Sequence, residues 1–371
     1  MSYSLATLWF ERQRYAPGVL AVGFSALLIA LQCGLLLGLF SITSIPVDHT
    51  NAHIWVCAPQ VLSVDLGRPV PESYLLRVAS QPEVEPPEIF VEGFTYWGKP
   101  NGGSELCLVL GSRLEDDALG AVRELTPELR ARLTEPGSVV IDESELERLG
   151  IQGVGDWGEI LGRRVRVVGL VRGLKSLAGP YIFCSIATAR PLLRLTSEQT
   201  TYVLARCPNP ADVPAVVERL RGYANMSAFS SAEFSFRTRM HWLTKTKAGI
   251  ALGCAAALGL LVGAVVTSQT LYAATAASLR EFAVLQALGI PRWRMAATVL
   301  AQSFWIGVIG IGLATPIVYA LRHGADTLGA KVLLPYWLIA GAVCVTMTMA
   351  LLSGLAALRS LRLVEPATLL R

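Results

Sequence analysis

Residues 248–279 read AGIALGCAAALGLLVGAVVTSQTLYAATAASL, a run without Asp, Glu, Lys, Arg or His. An α-helix needs about 20 apolar residues to cross the hydrocarbon core of a bilayer, so this run is long enough. Three more charge-free runs occupy residues 15–47, 295–321 and 332–358. The rest of the 371-residue chain is charged at about one residue in four, as in a soluble domain. The pattern predicts four membrane helices and one large polar domain, and it excludes a wholly soluble enzyme, a disordered chain and a transmembrane β-barrel.

Basic residues at the helix ends predict the orientation, because cytoplasmic loops of membrane proteins carry an excess of Lys and Arg. One side carries eight arginines (Arg12, Arg14, Arg280, Arg292, Arg294, Arg359, Arg362 and Arg371), and the loop between the last two helices carries Arg322 and Lys331. Both termini are therefore expected in the cytoplasm and the large domain outside, in the inner (plasma) membrane. Lys245 and Lys247 oppose this orientation, but they end a loop long enough to translocate regardless of charge. The first run exceeds a signal-peptide core of about 7–15 residues, so we expect it to remain as a helix.

The predicted organisation has nine parts. They are a cytoplasmic or interfacial amphipathic helix at 1–14; membrane helices at 15–47, 247–279, 295–321 and 332–358; a periplasmic domain with its stalk at 48–246; a cytoplasmic segment at 280–294; a short periplasmic loop at 322–331; and a cytoplasmic tail at 359–371.

The large domain has the alternating and helical patterns of an α+β fold. Strands are predicted at 52–57, 88–97, 105–111, 138–141, 164–171, 181–186 and 201–207, and helices at 72–80, 126–133, 144–149 and 211–224. The outer pieces, strand–helix–strand–strand at 52–111 and strand–helix–strand at 201–235, predict a ferredoxin-like sandwich. A β-rich insertion from about 112 to 197 interrupts it, and residues 230–247 form a stalk to the second membrane helix.

The sequence carries few groups that could perform chemistry. It has no phosphate-binding loop, nucleophile elbow, zinc-protease or dinucleotide motif, so neither catalysis nor a cofactor is expected. The four histidines have no metal-ligand spacing, and no basic block or stacking motif indicates nucleic acid. Ion-coupled transport is disfavoured because no ionisable residue lies in the four runs. An intramembrane enzyme would have Ser268, Gln269, Gln302 and Ser303 available, but no base accompanies them.

Seven cysteines divide between the membrane and the large domain. Those of the large domain, Cys57, Cys107, Cys184 and Cys207, lie in apolar strand-like runs. Four cysteines allow three disulfide pairings, and buried free thiols remain an equal alternative.

Two small-xxx-small pairs in the membrane helices, Gly34 with Gly38 and Gly259 with Gly263, predict close helix packing. The alternative is that glycine is simply common in membrane helices.

The segment between the second and third helices has a pattern of its own. Residues 276–288 are rich in helix formers, and Gly289 and Pro291 then end the helix. Leu279, Phe282, Leu285 and Leu288 supply more apolar surface than a free loop needs. The helix therefore either lies on lipid headgroups or docks against a cytoplasmic partner.

Three parts of the sequence resemble the FtsX-like ABC-transporter permease family, whose MacB/LolC-type layout is one helix, a large exported domain and three more helices. LREFAVLQALG at 279–289 is similar to the family signature between its second and third helices, and LVEPATLLR at 363–371 to its usual ending. LATLWFERQR at 5–14 resembles its amphipathic N-terminal helix. Within the exported domain, GSVVIDES at 137–144, GRRVRVVGL at 162–170 and GPYIFCS at 179–185 resemble most the DevC-type branch of glycolipid exporters.

The resemblance implies a permease that works as a homodimer with a separate ABC ATPase. Leu279, Arg280, Glu281, Phe282, Leu285, Leu288 and Gly289 would couple the ATPase to the membrane helices. A periplasmic adaptor and an outer-membrane channel would complete export of a lipid, glycolipid or amphiphile, and the membrane lipid would surround the helices. A lipoprotein-releasing permease and an FtsX-like regulator of periplasmic enzymes share the layout, and a sensor or scaffold without an ATPase is the alternative from another class.

The orientation can be tested with accessibility tags. We expect a tag at Gly102 to react with a membrane-impermeant reagent from outside, and tags at Pro291 and Arg371 to react only after permeabilisation. Labelling of Pro291 in intact cells would reverse the predicted orientation.

Overall fold

A computed structural model describes residues 10–277, 291–327 and 331–363 of the chain. The chain forms two compact units, a membrane unit of residues 1–38 and 247–371 and an α+β unit of residues 39–246.

The elements follow one another along the chain. They are α1 (Arg12–Thr43), α2 (Ile45–Asp48), β1 (Ile54–Cys57), β2 (Val70–Pro71), α3 (Tyr74–Ala79), β3 (Glu88–Gly98), β4 (Ser104–Ser112), α4 (Pro127–Leu133), β5 (Ser138–Asp142), α5 (Leu146–Leu149), β6 (Trp157–Ile160), β7 (Arg163–Val171), β8 (Tyr181–Ser185), α6 (Ile186–Leu192), β9 (Gln199–Thr200), β10 (Tyr202–Ala205), α7 (Val213–Arg221), β11 (Ser227–Ser230), α8 (Ser231–Lys245), α9 (Lys247–Ala277), α10 (Arg292–Thr327) and α11 (Tyr336–Leu363).

The membrane unit contains four helices that are long and apolar enough to cross a bilayer, and they coincide with the four charge-free runs. Each helix continues past its run into charged sequence, so α10 extends through Arg322 and His323. The described helices thus confirm the polytopic α-helical class.

Four strands of the α+β unit form a ferredoxin-like sheet. Its order is β11-β1-β10-β3, and all three neighbouring pairs are antiparallel. Counted in chain order within the sandwich, this is the order 4-1-3-2, with α3 and α7 as the two connecting helices. The predicted ferredoxin-like sandwich is confirmed.

The sandwich core is aromatic. Trp55 on β1 lies 5.5 Å from Phe90 and 5.4 Å from Tyr202 between ring centroids, both edge to face. Phe234 of α8 packs on the same cluster and stacks on Phe229 at 5.3 Å. Offset and edge-to-face aromatic pairs contribute about 0.5–1.5 kcal/mol beyond burial, so this cluster fixes the helix α8 on the sheet.

The inserted strands close into a barrel. The pairings run β3-β4-β8-β5-β7-β6 and return from β6 to β3, which gives a closed ring of six strands. The strand β3 is eleven residues long and takes part in both sheets, pairing with β10 at its start and with β6 at its end. It therefore joins the barrel to the sandwich without a linker.

The barrel interior is filled by side chains from alternate strand positions, with Trp97 as the largest. Its indole N–H donates to the Leu149 carbonyl at 3.1 Å. A Cβ at Gly158 would lie 1.9 Å from the Trp97 ring, so the barrel wall needs glycine beside this side chain.

Most predicted strands and helices of the domain are present, and the differences concern pairing. The prediction assigned the strand at 105–111 to the sandwich, but β4 pairs with β3 and β8 and belongs to the barrel. The insertion therefore begins at β4 rather than near residue 112. Helix α6 and the strands β2, β6 and β9 were not predicted from the sequence. Residue pairing between distant segments is not encoded in local periodicity, which explains the misplaced β4.

The four cysteines of the domain, Cys57, Cys107, Cys184 and Cys207, are buried free thiols. Burial raises the pKa of Cys57 and of Cys107 to about 12. These thiols act as small apolar core groups, because the thiolate is the reactive form and burial suppresses it.

Glu92 on β3 is a carboxyl group placed in this core. Its side chain is 3% exposed, and neither carboxyl oxygen has a hydrogen-bond partner among the described residues. Burial, and then the nearby Asp65 carboxylate, raise the pKa of Glu92 well above its ordinary value. A raised carboxyl pKa means that Glu92 stabilises the fold below its ordinary pKa, and that this contribution is lost as the pH rises towards the raised value.

We expect Glu92→Gln to flatten the pH dependence of stability. Both proteins should be similarly stable near pH 4.5, and the variant should melt several degrees higher, about 5 °C, at pH 8, because it has no carboxyl group to ionise. Thermal unfolding of the full chain in detergent measures this, with Glu159→Gln, an exposed glutamate on β6, as the control. Parallel curves for wild type and Glu92→Gln would contradict the assignment.

Candidate functional site

The predicted coupling residues lie outside the described residues. Leu279, Arg280, Glu281, Phe282, Leu285, Leu288 and Gly289 all fall between the end of α9 at Ala277 and the start of α10 at Arg292. Their role therefore remains a prediction.

Gly34 and Gly38 of α1 face the segment that precedes α11. The Leu333 N–H donates to the Gly34 carbonyl at 3.1 Å, and an added Cβ at Gly38 would lie 1.7 Å from the Lys331 carbonyl oxygen. Since that neighbour is backbone, a side chain at Gly38 cannot be accommodated by a rotamer change. The absence of a side chain brings these two backbones together.

Gly259 and Gly263 of α9 face α1. A Cβ at Gly259 would lie 2.5 Å from Oε1 of Gln32, and one at Gly263 would lie 3.2 Å from the Ser25 Cβ. Ser25 uses this approach: its Oγ lies 2.8 Å from the Ala21 carbonyl of its own helix, 3.0 Å from the Gly263 carbonyl and 2.9 Å from Thr267 Oγ1, so the two carbonyls share its single proton. Hydrogen bonds of this kind contribute about 0.6 kcal/mol on average between membrane helices. The two glycines thus let α1 and α9 come close enough for a hydrogen bond between them.

A further glycine contact was missed. Gly23 of α1 and Gly310 of α10 meet directly: a Cβ on Gly23 would lie 3.0 Å from the Gly310 oxygen, and one on Gly310 would lie 2.9 Å from the Val19 oxygen. Neither glycine was selected from the sequence as part of a predicted packing pair. Only the pairing of helices distant in sequence identifies this contact.

The last helix has its own polar contacts. Ser353 Oγ donates to the Met349 carbonyl of its own helix at 2.7 Å and lies 3.1 Å from Ser268 Oγ, and a Cβ at Gly354 would lie 2.3 Å from Ser303 Oγ. Serine side chains therefore link α11 to α9 and lie where α11 approaches α10. None of these serines has a histidine or carboxylate hydrogen-bonded to it within the described residues, so the contacts have the character of packing rather than of a catalytic pair.

Two clusters in the α+β unit hold the start and the end of that unit together. Arg239 on α8 donates to Ser44 Oγ at 2.9 Å and to the Asp48 carboxylate at 2.6 Å. One turn away, Trp242 Nε1 donates to Asp65 at 3.2 Å. We call the contact of Arg239 with Ser44 and Asp48 the base clamp, since Ser44 follows α1 and α8 precedes α9.

Within the described ranges, no three His, Cys, Asp or Glu side chains lie close enough together to hold a metal ion.

The glycine contacts can be tested by two substitutions on one helix. Gly310→Ala should lower stability by about 1–3 kcal/mol, because its methyl group would press on backbone atoms of α1. Gly312→Ala is the matched control: nothing lies within 4 Å of a Cβ there, and alanine is the better helix former. Unfolding by a denaturing detergent measures both, and equal midpoints would show that the α1–α10 approach contributes no stability.

The membrane unit contains a match to a known protein family. Residues 253–366 match the model of the FtsX-like permease C-terminal family. No curated protein sequence matches the chain.

Among solved structures, the chain is similar to the periplasmic region of MacB from Actinobacillus actinomycetemcomitans, with 13% identity, a TM-score of 0.35, and 56% of this chain and 97% of that one covered. The extracellular domain of the ABC-type transporter YknZ from Gram-positive bacteria gives 10% identity, a TM-score of 0.33, and 47% and 98% coverage. Likenesses this distant assign neither fold nor function, and the fold rests on the strand pairings above. By the match at 253–366, the part of the chain that holds most of its last three membrane helices is similar to the FtsX-like permease C-terminal family.

Proposed function

We propose that this chain is the permease subunit of an ABC exporter, which passes the motion of a separate ATPase to its α+β domain. The observation that carries the proposal is the match of residues 253–366 to the FtsX-like permease C-terminal family. The sequence has no phosphate-binding loop, so ATP hydrolysis would belong to a separate cytoplasmic subunit.

The composition of the membrane helices favours a role in transmitting movement over a role as a transport pathway. The runs at 15–47, 248–279, 295–321 and 332–358 contain no Asp, Glu, Lys, Arg or His, the side chains that usually bind an ion or relay a proton at the bilayer midplane. Some of their hydroxyl groups form contacts between helices, as Ser25 does with Gly263 and Thr267, while others, such as Thr315, donate to the carbonyl four residues earlier in their own helix. Such helices transmit movement by packing.

The base clamp, within the α+β unit, supports the same mechanism. Arg239 binds Ser44 and Asp48, and Thr238 Oγ1 accepts the Val64 N–H at 3.1 Å. The two ends of the α+β unit are therefore held against each other and against its interior. A displacement applied at either end would move the domain as one piece.

The finer assignments belong to this proposal. We infer a homodimer in the inner membrane, with the α+β domain in the periplasm, that exports a lipid, glycolipid or other amphiphile through an adaptor and an outer-membrane channel, most like the DevC-type branch. The resemblance at residues 137–144, 162–170 and 179–185 supports the branch. A lipoprotein-releasing permease or a regulator of periplasmic enzymes would transmit the same movement to a different substrate or partner.

A sensor or scaffold that works without an ATPase is the competing class. The discriminating observation is the reading frame next to this gene, where an ABC ATPase would support the exporter. Co-purification of the two products tests it directly, and a chain that never binds an ATPase would contradict the proposal.

We expect Phe282→Ala and Gly289→Val to reduce ATPase co-purification and export. Phe282 would be an aromatic anchor, whose loss costs about 2 kcal/mol or more at an interface. Gly289 would end the coupling helix in a left-handed conformation that valine tolerates poorly. Pull-down of the ATPase and its stimulated turnover in proteoliposomes measure both effects.

Phe304→Ala provides the control, since Phe304 is an exposed phenylalanine of α10 and lies outside the coupling segment. It should bind the ATPase as wild type does. Wild-type binding and export by both coupling variants would show that the segment only lies on lipid headgroups. Measurable ATP hydrolysis by the purified chain alone would refute the separate-ATPase arrangement.

A further inference from the structure

The β6–β7 hairpin of the barrel has an unusual residue at its tip. The two strands pair as far as Ile160 and Arg163, which leaves Leu161 and Gly162 as a two-residue turn. Both turn residues have a positive φ, 49° for Leu161 and 79° for Gly162. Such turns strongly favour asparagine, aspartate or glycine, because the Cβ of a leucine is strained at positive φ. The tip therefore carries its leucine at a conformational cost.

Packing within the fold does not explain Leu161. Its side chain is 45% exposed, and it is not among the hydrophobic side chains that pack on the barrel core. Burial therefore returns little of the cost of its backbone conformation. Strained residues that the surrounding fold does not require cluster at functional sites. Leu161 thus indicates a contact that lies outside the fold.

Two large aromatic side chains share the surface around this tip. The pairing of Trp97 with Ile160 places Tyr96 and Leu161 at the next register position of β3 and β6. Tyr96 is 60% exposed, and Trp157 is 53% exposed. Since Trp97 and Ile160 point into the barrel core and side chains alternate along a strand, Tyr96, Trp157 and Leu161 lie on the outer face.

Two arginines of β7 complete this surface. Arg164 and Arg166 are exposed on the outer face, because Val165 and Val167 fill the barrel core. The Arg166 guanidinium lies over the Trp157 ring, 5.8 Å from its centroid. Within the part of the chain that the structure describes, neither arginine forms an ion pair. We call this surface the hairpin patch, and it consists of Tyr96, Trp157, Leu161, Arg164 and Arg166.

The carboxylates near the hairpin patch leave these guanidinium groups available. Glu159 stands opposite Arg164 in the strand register, but no ion pair joins their side chains. The Asp156 carboxylate accepts two backbone N–H groups of its own loop, at 2.6 Å and 3.3 Å. Glu135 lines a cleft beside Arg166 and is not paired with it. The surface is therefore mixed in charge, with two arginines that no carboxylate of the described chain holds.

We propose that the hairpin patch is the docking surface for another protein, one that presents carboxylates beside an apolar recess. Leu161 and Trp157 would fill the recess, and Arg164 and Arg166 would bind the carboxylates. Tryptophan, tyrosine and arginine are the residues that most often dominate binding at protein interfaces. Arginine also matches the geometry of a carboxylate with two parallel hydrogen bonds. The proposal rests on the α+β unit alone and does not depend on the exporter function.

A lipid surface fits the hairpin patch less well than a protein does. Basic segments that bind anionic bilayers carry about four to eight lysines or arginines. The hairpin patch has two arginines, and Glu159 lies on the same face of β6 as Trp157. Such a mixture gives little long-range attraction to a bilayer, but it suits a partner surface with the complementary pattern of charges.

The first measurement needs only this chain. Leu161→Asn places at the tip a residue that tolerates positive φ. The full chain in detergent should therefore melt at least as high as wild type, with a gain of about 2 °C expected. A lower melting temperature overturns the proposal, because it would make Leu161 a residue that the fold itself requires.

The second measurement identifies the partner in the cells that make this chain. Tyr96→p-benzoylphenylalanine introduces a photo-crosslinker into the hairpin patch, and the same change at Tyr223, an exposed tyrosine between α7 and β11, is the control. Irradiation should link a second protein to position 96 and not to position 223, with the link beside Asp or Glu residues of that protein. Links to lipid alone, links between two copies of this chain, or no links above the level at position 223 overturn the proposal.

The third measurement is the binding of that identified protein to the purified full chain. Arg164→Glu, Arg166→Glu and Leu161→Asn should each weaken binding at least about tenfold, as expected for central interface residues. Lysines in place of the partner's crosslinked carboxylates should restore binding to the two glutamate variants. Circular dichroism shows that each variant is folded.

Arg163→Glu is the matched control for charge. It makes the same change one residue away, on the face of β7 that Arg163 shares with its register partner Ile160. Its binding should stay within about threefold of wild type, since it does not lie on the patch. Equal losses for Arg163→Glu and Arg164→Glu, or wild-type binding by Arg164→Glu and Arg166→Glu, overturn the proposal.

Discussion

A bilayer offers the backbone no hydrogen-bonding partner, and this constraint shapes the membrane unit. Each span must satisfy its own peptide groups as a helix, and the helices can then meet only through packing and a few side-chain hydrogen bonds. The glycines at 23, 34, 38 and 310 let backbones approach, and Ser25 uses the space beside Gly263. The same constraint leaves the apolar runs of these helices without Asp, Glu, Lys, Arg or His.

Outside the membrane unit, a single strand organises the fold. One end of β3 pairs in the sandwich and the other end closes the barrel. The two hydrophobic cores lie on opposite faces of this strand, with Phe90 in the sandwich core and Val91 and Trp97 in the barrel core. Glu92 lies where the two sheets meet, and its burial without a partner makes this joint sensitive to ionisation.

Sequence periodicity was sufficient for the parts of the fold that depend on local pattern. The four spans and most strands follow from apolar runs and alternation. The strand β6, WGEI, is too short to show alternation, and α6 contains Pro191, which argues against a helix when read locally. The place of β4 and the Gly23–Gly310 contact depend on pairing between segments far apart in sequence. The coupling segment was selected on composition and family resemblance, and its residues lie outside those that the structure describes.

The base clamp has a consequence for how such a chain can evolve. Arg239 ties α8, the last helix of the α+β unit, to Ser44 and Asp48 near the start of that unit. The chain therefore leaves the unit close to the point where it enters. Domains whose ends lie close together tolerate insertion into, and removal from, a host chain. The α+β unit therefore has the geometry of an exchangeable module, and recombination at residues 43–44 and 245–246 could replace the whole unit while the membrane helices stay unchanged.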